Sequence, residues 1–321
     1  MTKPKAPKGR VDVERRGPVL IARIDGGKLA EFGPEIADAL AGLVKRADTD
    51  PTVRVVVLTG THSGRFVSHA TIPWLNDGGR SGFPVGRAGS MLLARVAGVL
   101  RRIPGIWPLI SWLPFAGAVQ LDRLHATFLR MNRSSVIFVA ALNGSAQGIG
   151  SELVQACDVR VMADDARFFI GQFEVLIGFN PGGGGTQRMA RLMGPQRALR
   201  VMLEGRPVHP REALEIGLVD ELVPPPQLLE RAVALGTYLG LRPRDAVAAI
   251  KRCVHVAARL PLKDGLRHER AEFLSLLTRR EAQSLMTGYV AATERDGELP
   301  LYTPRSYARA LAEGSFPRHG G

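Results

Sequence analysis

The segment that decides the fold runs from Val136 to Arg188 and reads VIFVAALNGSAQGIGSELVQACDVRVMADDARFFIGQFEVLIGFNPGGGGTQR. It opens with an apolar, β-branched run that is typical of a buried strand and that ends at Asn143-Gly144. A second turn, Gly148-Ile149-Gly150, then precedes a helical pattern with Glu152 in its first turn. This order points backbone N–H groups and the positive end of a helix at one spot, which suits an oxygen that gains negative charge.

The sequence on either side of this segment alternates between strand and helix patterns. Apolar, β-branched runs predict strands at 19–24, 53–58 and 159–162, and the pattern at 34–47 predicts a helix. Such alternation is typical of an α/β fold. We therefore expect an α/β core at residues 17–223.

Two further regions flank this core. The prolines at 224–226 break the chain, and the sequence after them predicts helices. These helical patterns lie at 228–239, 243–257 and 262–277. We expect a smaller helical region at 224–321, and a disordered basic tail at 1–16 because the start of the chain is basic and Pro-rich without an apolar signal core.

Composition limits the class of protein. The chain has 321 residues, of which 45% are hydrophobic, so it can bury a large core. Cys157 and Cys253 lie far apart without metal-ligand neighbours, so we expect neither a disulfide nor a metal site, and a cytoplasmic location fits. The net charge of +13 suits an acidic partner, from nucleic acid to an anionic cofactor, or reflects a basic tail and solvated surface.

Glu152 and Glu174 are the candidate catalytic residues, and each also has a purely structural interpretation. A carboxylate early in a helix is commonly a partner of the helix dipole. Glu174 lies among apolar residues, where a lone charge is costly unless it faces solvent or a ligand. An apolar setting raises the pKa of a carboxyl group and prepares it for proton transfer near neutral pH. The residues alone leave both roles open.

Several motifs follow one another in a fixed order within and around the segment. They are Asn143-Gly144 through Glu152, Cys157-Asp158, Gly171-Gln172-Phe173-Glu174, Gly178, Pro181-Gly182, Gly184 to Arg188, and the flanking stretches 53–60, 194–195 and 212–219. Together these motifs resemble the enoyl-CoA hydratase/isomerase (crotonase) superfamily, and the likeness covers about 19–223. It implies stacked ββα units, with a carboxy-terminal helical region that helps to form homotrimers or dimers of trimers.

The resemblance also implies an activity. It is closest to enoyl-CoA hydratases, lyases of fatty acid metabolism that add water across the C2=C3 bond of a trans-2-enoyl-CoA thioester. Glu152 would activate the water that attacks C3, and Glu174 would deliver the proton to C2. The backbone N–H groups of Ala70 and Ile149 would form the oxyanion hole. Coenzyme A enters as part of the substrate, so no separate cofactor is expected.

The chain departs from the family pattern near these positions. His69 and Ile149 stand where the family usually has Gly, Thr71 replaces a common Asp and Phe173 a common Pro. Ile149 adds bulk where the acyl group would pass, which affects the shape of the substrate. The candidate substrate-binding or coenzyme A-binding residues are Lys28, Ser68, His69, Gly148, Phe173, Gly182 and Lys251. We interpret the glycine run at 182–185 as a close backbone passage and not as a phosphate cradle.

An apolar insertion at about 79–131 interrupts the α/β pattern. It has a helical pattern at 90–102 and an apolar stretch at 103–121 that carries Trp107 and Trp112. Prolines break this stretch, so we expect no membrane-spanning helix. The interpretations left open are a lid or tunnel for a long acyl chain, a patch that contacts a membrane or a partner, and a loop packed on the core.

Three alternatives to hydration also remain. The nearest is enoyl-CoA double-bond isomerisation or another crotonase-type reaction, since isomerisation can run on a base at Glu174 alone. Some crotonase relatives bind RNA and the chain is basic, but no aromatic-basic recognition motif is present, so nucleic acid is not the expected partner. In the third, the protein is a non-catalytic homologue in which Ile149 and the insertion block the acyl site.

Overall fold

Two β-sheets and a set of surrounding helices make up the structure, a computed structural model that describes residues 9–81, 85–113 and 115–318. The strands are β1 Arg10–Arg16, β2 Val19–Asp25, β3 Val55–Gly60, β4 Arg65–Val67, β5 Ile137–Leu142, β6 Ser145–Gln147, β7 Val159–Ala163, β8 Ile170–Gly171 and β9 Glu221–Val223. The helices are α1 Pro34–Thr49, α2 Ile72–Ser81, α3 Arg87–Leu100, α4 Trp107–Ile110, α5 Ala116–Met131, α6 Ile149–Ala156, α7 Gly185–Met193, α8 Pro195–Glu204, α9 Pro210–Glu215, α10 Leu228–Gly240, α11 Arg244–His255, α12 Leu262–Leu277, α13 Arg280–Asp296 and α14 Pro304–Glu313.

Consecutive pairs of strands build both sheets. The larger sheet has the order β1-β2-β3-β5-β7-β9 and the smaller has the order β4-β6-β8. Within each sheet, neighbouring strands are parallel, except that β1 and β2 are antiparallel. The pairs β3–β4, β5–β6 and β7–β8 each give their first strand to the larger sheet and their second to the smaller one. This repeat confirms the α/β class and the stacked units that the sequence predicts.

The hydrophobic core continues past the predicted boundary at 223. Val223 ends β9, and the elements after it are helical, as expected. However, α10 packs on β3, β5 and β7, and its Leu228 and Ala232 are buried in the same core cluster as the strands. The start of the helical region is therefore part of the α/β body.

The prediction of a disordered tail at 1–16 is wrong for its second half. Residues 10–16 form β1, which pairs along its whole length with β2. This strand is mostly exposed, and its charged side chains form salt bridges. Arg10 pairs with Asp25 at 2.9 Å, and Glu14 pairs with Arg16 and Arg23. A charged edge strand has little apolar pattern to identify it in a sequence, although charges at a sheet edge are common. Residues 1–8 lie outside the described residues.

The insertion consists of helices and is not an elaborated loop. Its predicted helix at 90–102 is α3, and α4 and α5 are additional, whereas α2 ends where the insertion begins. Residues 82–84 and Pro114 lie outside the described residues. A small cluster of Ala97, Ile110 and Val119 joins α3 and α4 to α5, and α5 packs against α1 and α6. Every helix that the structure describes is too short or too polar to cross a bilayer.

The close approach of α6 to β4 depends on Gly150. A Cβ at this position would lie 2.1 Å from the carbonyl oxygen of Val67, whereas one at Gly117 in α5 would meet nothing within 4 Å. Gly150→Ala should therefore lower the free energy of unfolding by at least about 2 kcal/mol, measured by urea denaturation. Gly117→Ala is the matched helical control and should be neutral or slightly stabilising. Equal stabilities for the two variants would contradict the packing described.

Candidate active site

The start of α6 brings the chain against Glu174. Gly148 precedes the helix with φ +52° and ψ −123°, a backbone conformation that residues with a side chain rarely adopt. A Cβ at Gly148 would also lie 2.8 Å from Oε1 of Glu174. The glycine turn that the sequence predicts before a helix therefore places the beginning of α6 beside the second glutamate.

Glu152 lies in the first turn of α6 with only 2% of its surface exposed. Its Oε2 accepts a hydrogen bond from the N–H of Gly183 at 2.9 Å, and its Oε1 accepts one from the N–H of Gly185 at 2.7 Å. Burial raises the pKa of Glu152 to about 7; the bond from Gly185 opposes this shift and the charge of Glu174 adds to it. Glu152 can therefore exchange a proton near neutral pH.

Glu174 begins a 3-10 turn, Glu174–Ile177, and is 6% exposed. The side-chain amide of Gln172, with its nitrogen turned toward Glu174, lies 3.0 Å from both carboxylate oxygens. Burial raises the pKa of Glu174, and backbone hydrogen bonds and the neighbouring His69 oppose the shift. Both glutamates line one cavity, so the structure brings together the two carboxylates that the sequence singles out.

The glycine run at 182–185 passes directly beside these carboxylates. A Cβ at Gly183 would lie 2.4 Å from Oε2 of Glu152, and one at Gly185 would lie 2.6 Å from the side-chain amide of Gln172. The helix α7 begins at Gly185. The backbone of this run therefore passes close to the carboxyl groups and donates hydrogen bonds to Glu152. This agrees with the interpretation of the sequence.

The two predicted oxyanion donors, the amides of Ala70 and Ile149, belong to residues that line the same cavity. Ala70 forms a parallel bridge with Phe32 that uses the N–H of Phe32 and the N–H of Thr71, so it leaves the N–H of Ala70 out of the pairing. Ile149 is the first residue of α6, where an N–H group has no partner within the helix. Among the described residues, both amides are thus available to a ligand oxygen.

The cavity has a volume of about 500 Å³. His69, Phe173 and Gly182 line it together with the two glutamates, and the insertion supplies much of its apolar wall. The insertion residues that line it include Val85, Leu93, Phe115, Ala118 and Leu121. The structure therefore favours the interpretation of the insertion as a lid or tunnel wall. Neither Ile149 nor the insertion fills this cavity. The geometry therefore does not match the blocked acyl site that the sequence analysis considered.

A second cavity of about 490 Å³ adjoins the first and shares His69 with it. Ser68 lines this second cavity, where its hydroxyl donates to the carbonyl of Ala30 at 3.0 Å. Arg65 also lines it. Lys28 is exposed and is the chain neighbour of Leu29, another lining residue. Two candidates for coenzyme A binding therefore lie at or next to one opening.

Lys251 does not belong to this site, so its assignment to coenzyme A binding is wrong. It is buried, and its Nζ donates to Asp158 Oδ2 at 2.7 Å and to the carbonyl of Val136 at 2.8 Å. The ammonium group also lies 5.2 Å from the ring centroid of Phe138. A buried lysine with these partners compensates the charge of a buried carboxylate, and it lines neither of the two cavities.

Three residues of the site were not identified from the sequence. Gln172 lies within a quoted motif, but only the fold turns its amide toward Glu174. His125 of α5 forms a hydrogen bond through Nε2 with the carbonyl oxygen of Gly182 at 2.7 Å and so ties the insertion to the glycine run. Arg65 faces the second cavity. A lone His or Arg carries no spacing signal that would have revealed either role.

Comparison with known proteins places the chain in a family. The sequence profile of the enoyl-CoA hydratase/isomerase family matches residues 118–296, more than half of the chain. The chain belongs to this family. Two solved structures share its fold. An enoyl-CoA hydratase from Geobacillus kaustophilus HTA426 has a TM-score of 0.71 and 24% identity, and the match covers 89% of this chain and 96% of that one. An enoyl-CoA hydratase from Bacillus anthracis has a TM-score of 0.69 and 21% identity, and the match covers 91% of this chain and 98% of that one.

Curated relatives of this family member are longer proteins. The fatty acid oxidation complex subunit alpha of Shewanella putrefaciens is 28% identical over 91% of this chain, and the match spans 42% of the length of that relative. The corresponding subunit of Shewanella frigidimarina is 47% identical over 111 residues, which are 35% of this chain and 16% of the relative. The chain therefore corresponds to less than half of the curated relatives that it matches.

The raised pKa of Glu152 predicts a dependence of stability on pH. Between the ordinary value of 4.5 and about 7, the folded protein keeps a proton that the unfolded chain has released, so raising the pH lowers stability. This contribution amounts to roughly 3 kcal/mol across that window, and Glu152→Gln should remove it. Urea unfolding at about pH 5 and pH 7.5 measures it, with Glu215→Gln at an exposed position as control. Parallel pH profiles for wild type and Glu152→Gln would contradict the shift.

The pairing of Lys251 predicts a structural effect without a binding effect. Lys251→Met leaves the buried carboxylate of Asp158 without its cation and should lower the free energy of unfolding by about 3 to 5 kcal/mol. Adding Asp158→Asn to this variant removes the unpaired charge and should restore part of the lost free energy of unfolding. The acyl-CoA affinity of the folded fraction, measured by calorimetry, should stay unchanged. A weakened affinity with unchanged stability would instead return Lys251 to the binding site.

Proposed function

We propose that the protein is an enoyl-CoA hydratase, a lyase that adds water to a trans-2-enoyl-CoA. The observation that supports this most strongly is the pair of buried carboxyl groups, Glu152 and Glu174, on one largely apolar cavity. Hydration needs a base for the water and an acid for C2, and two carboxyl groups with raised pKa values can take these opposite roles. Membership of the enoyl-CoA hydratase/isomerase family agrees with this reaction type.

In this mechanism the thioester carbonyl lies between the N–H groups of Ala70 and Ile149. Attack of water on C3 moves electrons through C2 to the carbonyl oxygen, which gains enolate character. Two backbone donors stabilise that developing charge more than they stabilise the neutral carbonyl, and such donors are worth several kcal/mol. The positive end of α6 at Ile149 acts in the same direction.

The two glutamates divide the proton transfers. Ionised Glu152, held by the N–H groups of Gly183 and Gly185, accepts a proton as the water oxygen bonds to C3. Protonated Glu174 then delivers its proton to C2, which completes the addition of one water molecule. The two groups finish with their protonation states exchanged, and passing one proton from Glu152 to Glu174 restores them before the next turnover.

The two cavities suit the two halves of an acyl-CoA. The apolar wall supplied by the insertion would take the acyl chain, and its extent favours chains longer than crotonyl. The adjoining cavity would take the coenzyme A portion, with Arg65 and Lys28 near its anionic groups. The coenzyme comes and goes with the substrate, so the proposal includes no separate cofactor and no metal.

We also propose that the chain forms homotrimers or dimers of trimers through its carboxy-terminal helices. The apolar residues Leu262, Leu266 and Phe273 of α12 are all more than half exposed. They line a shallow groove together with Lys263, Glu269 and Arg270. An apolar strip rimmed by charges of both signs is typical of a protein–protein contact.

Conservative variants of the two glutamates test the catalytic proposal. Glu152→Gln and Glu174→Gln should each lower kcat for hydration of a medium-chain enoyl-CoA by about a hundredfold or more, because each removes a proton acceptor or donor. Glu215→Gln lies on an exposed surface and should retain wild-type activity. Circular dichroism establishes that the variants are folded. A folded Glu152→Gln protein with normal kcat would overturn the paired mechanism.

A further inference from the structure

The insertion presents a second apolar face, directed away from the cavity. Leu92, Val96, Val99 and Ile103 recur at helical spacing along and just beyond α3, and all four are exposed, Leu92 by 63% and Val99 by 60%. The opposite side of the same helix is covered, because Ala97 is fully buried in the cluster with α4 and α5. The helix α3 is thus apolar on both sides and packed on one.

Exposed apolar residues also occur in and just after α4. Leu109 is 67% exposed and Trp112, just after the helix, is 77% exposed, the highest value among the exposed large apolar residues apart from an equal one at Leu262. We call the set Leu92, Val96, Val99, Ile103, Leu109 and Trp112 the outer face. A group of large apolar residues exposed together on a protein surface is typical of an interaction site.

The charged residues of the sequence segment that carries the outer face all have one sign. Between Gly78 and Leu121 the sequence has five arginines, at 80, 87, 95, 101 and 102, and neither Asp nor Glu. Arg101 is paired with Asp122 of α5, whereas Arg95 and Arg102 are exposed beside the outer face with no acidic partner recorded among the described residues. The apolar groove on α12 differs, since acidic and basic side chains both border it.

We propose that the outer face docks on the surface of an anionic lipid bilayer, with α3 lying in the plane of the interface. Exposed apolar residues would enter the boundary between headgroups and acyl chains, and Arg95 and Arg102 would contact the anionic headgroups. A Trp at the edge of such a face suits the interface, where its ring is apolar and its N–H reaches water.

Docking would have a consequence for the cavity. Leu93 of α3 lines the cavity, while its chain neighbour Leu92 belongs to the outer face. The wall between the cavity and the proposed lipid surface is therefore a single helix at this point. The proposal concerns binding to lipid and does not depend on the reaction that the glutamates perform.

Vesicle flotation with the full chain tests this proposal. Wild type should float with vesicles of phosphatidylglycerol and phosphatidylcholine, and binding to pure phosphatidylcholine should be at least about tenfold weaker. Arg95→Glu with Arg102→Glu should weaken binding to the anionic vesicles by at least about tenfold, and Leu109→Ser with Trp112→Ser should do so as well. Arg197→Glu with Arg305→Glu makes the same change in net charge at exposed positions elsewhere and should bind within about twofold of wild type.

Three results would overturn the proposal. The first is wild-type protein that binds neutral and anionic vesicles equally or binds neither. The second is an equal loss in the Arg197 and Arg305 control, which would reduce the effect to net charge. The third is a smaller assembly of the outer-face variants in light scattering, which would identify the outer face as a contact between copies of the chain.

Discussion

The Glu152 carboxylate lies inside the protein, and two backbone N–H groups from the glycine run hold it there. That interaction requires the run to pass within contact distance of α6, and any Cβ at Gly183 would occupy the space of the carboxylate itself. Because the group is removed from water, its pKa lies near neutrality, where one carboxyl group can be a base while its neighbour is an acid. The arrangement requires the first turn of α6 and the start of α7 to lie close together.

The insertion supplies much of the apolar wall of the cavity that holds the two carboxyl groups. It covers the site with apolar side chains and is anchored to the core through α5, whose His125 bonds the glycine run. Burial of the two glutamates raises the pKa of both, and the charge of Glu174 adds to the shift at Glu152. The same segment carries the exposed outer face, so it combines part of the cavity wall with an exposed apolar surface.

Local patterns sufficed for the features that local chemistry determines. The motif frame singles out Glu152, Glu174, Ala70 and Ile149, and all four line one cavity. Turn glycines and helix starts leave direct signals in a sequence, which is why this grouping could be predicted. Lys251 was misassigned because its partner Asp158 lies 93 residues away, and a lysine looks the same whether it pairs with a buried carboxylate or with a ligand. The strand β1 escaped notice because its charged residues are held by pairing with β2, which no periodicity reveals.

The most direct measurement of the central claim is the isotope content of the product formed in ¹⁸O-labelled D₂O. Purified protein is incubated with a trans-2-enoyl-CoA, and the acyl product is analysed by mass spectrometry. The paired-glutamate account predicts a 3-hydroxyacyl-CoA with one ¹⁸O at C3 and one deuterium at C2, and neither label above background with Glu174→Gln. An enoyl product with a shifted double bond and no ¹⁸O would contradict hydration and identify isomerisation as the reaction.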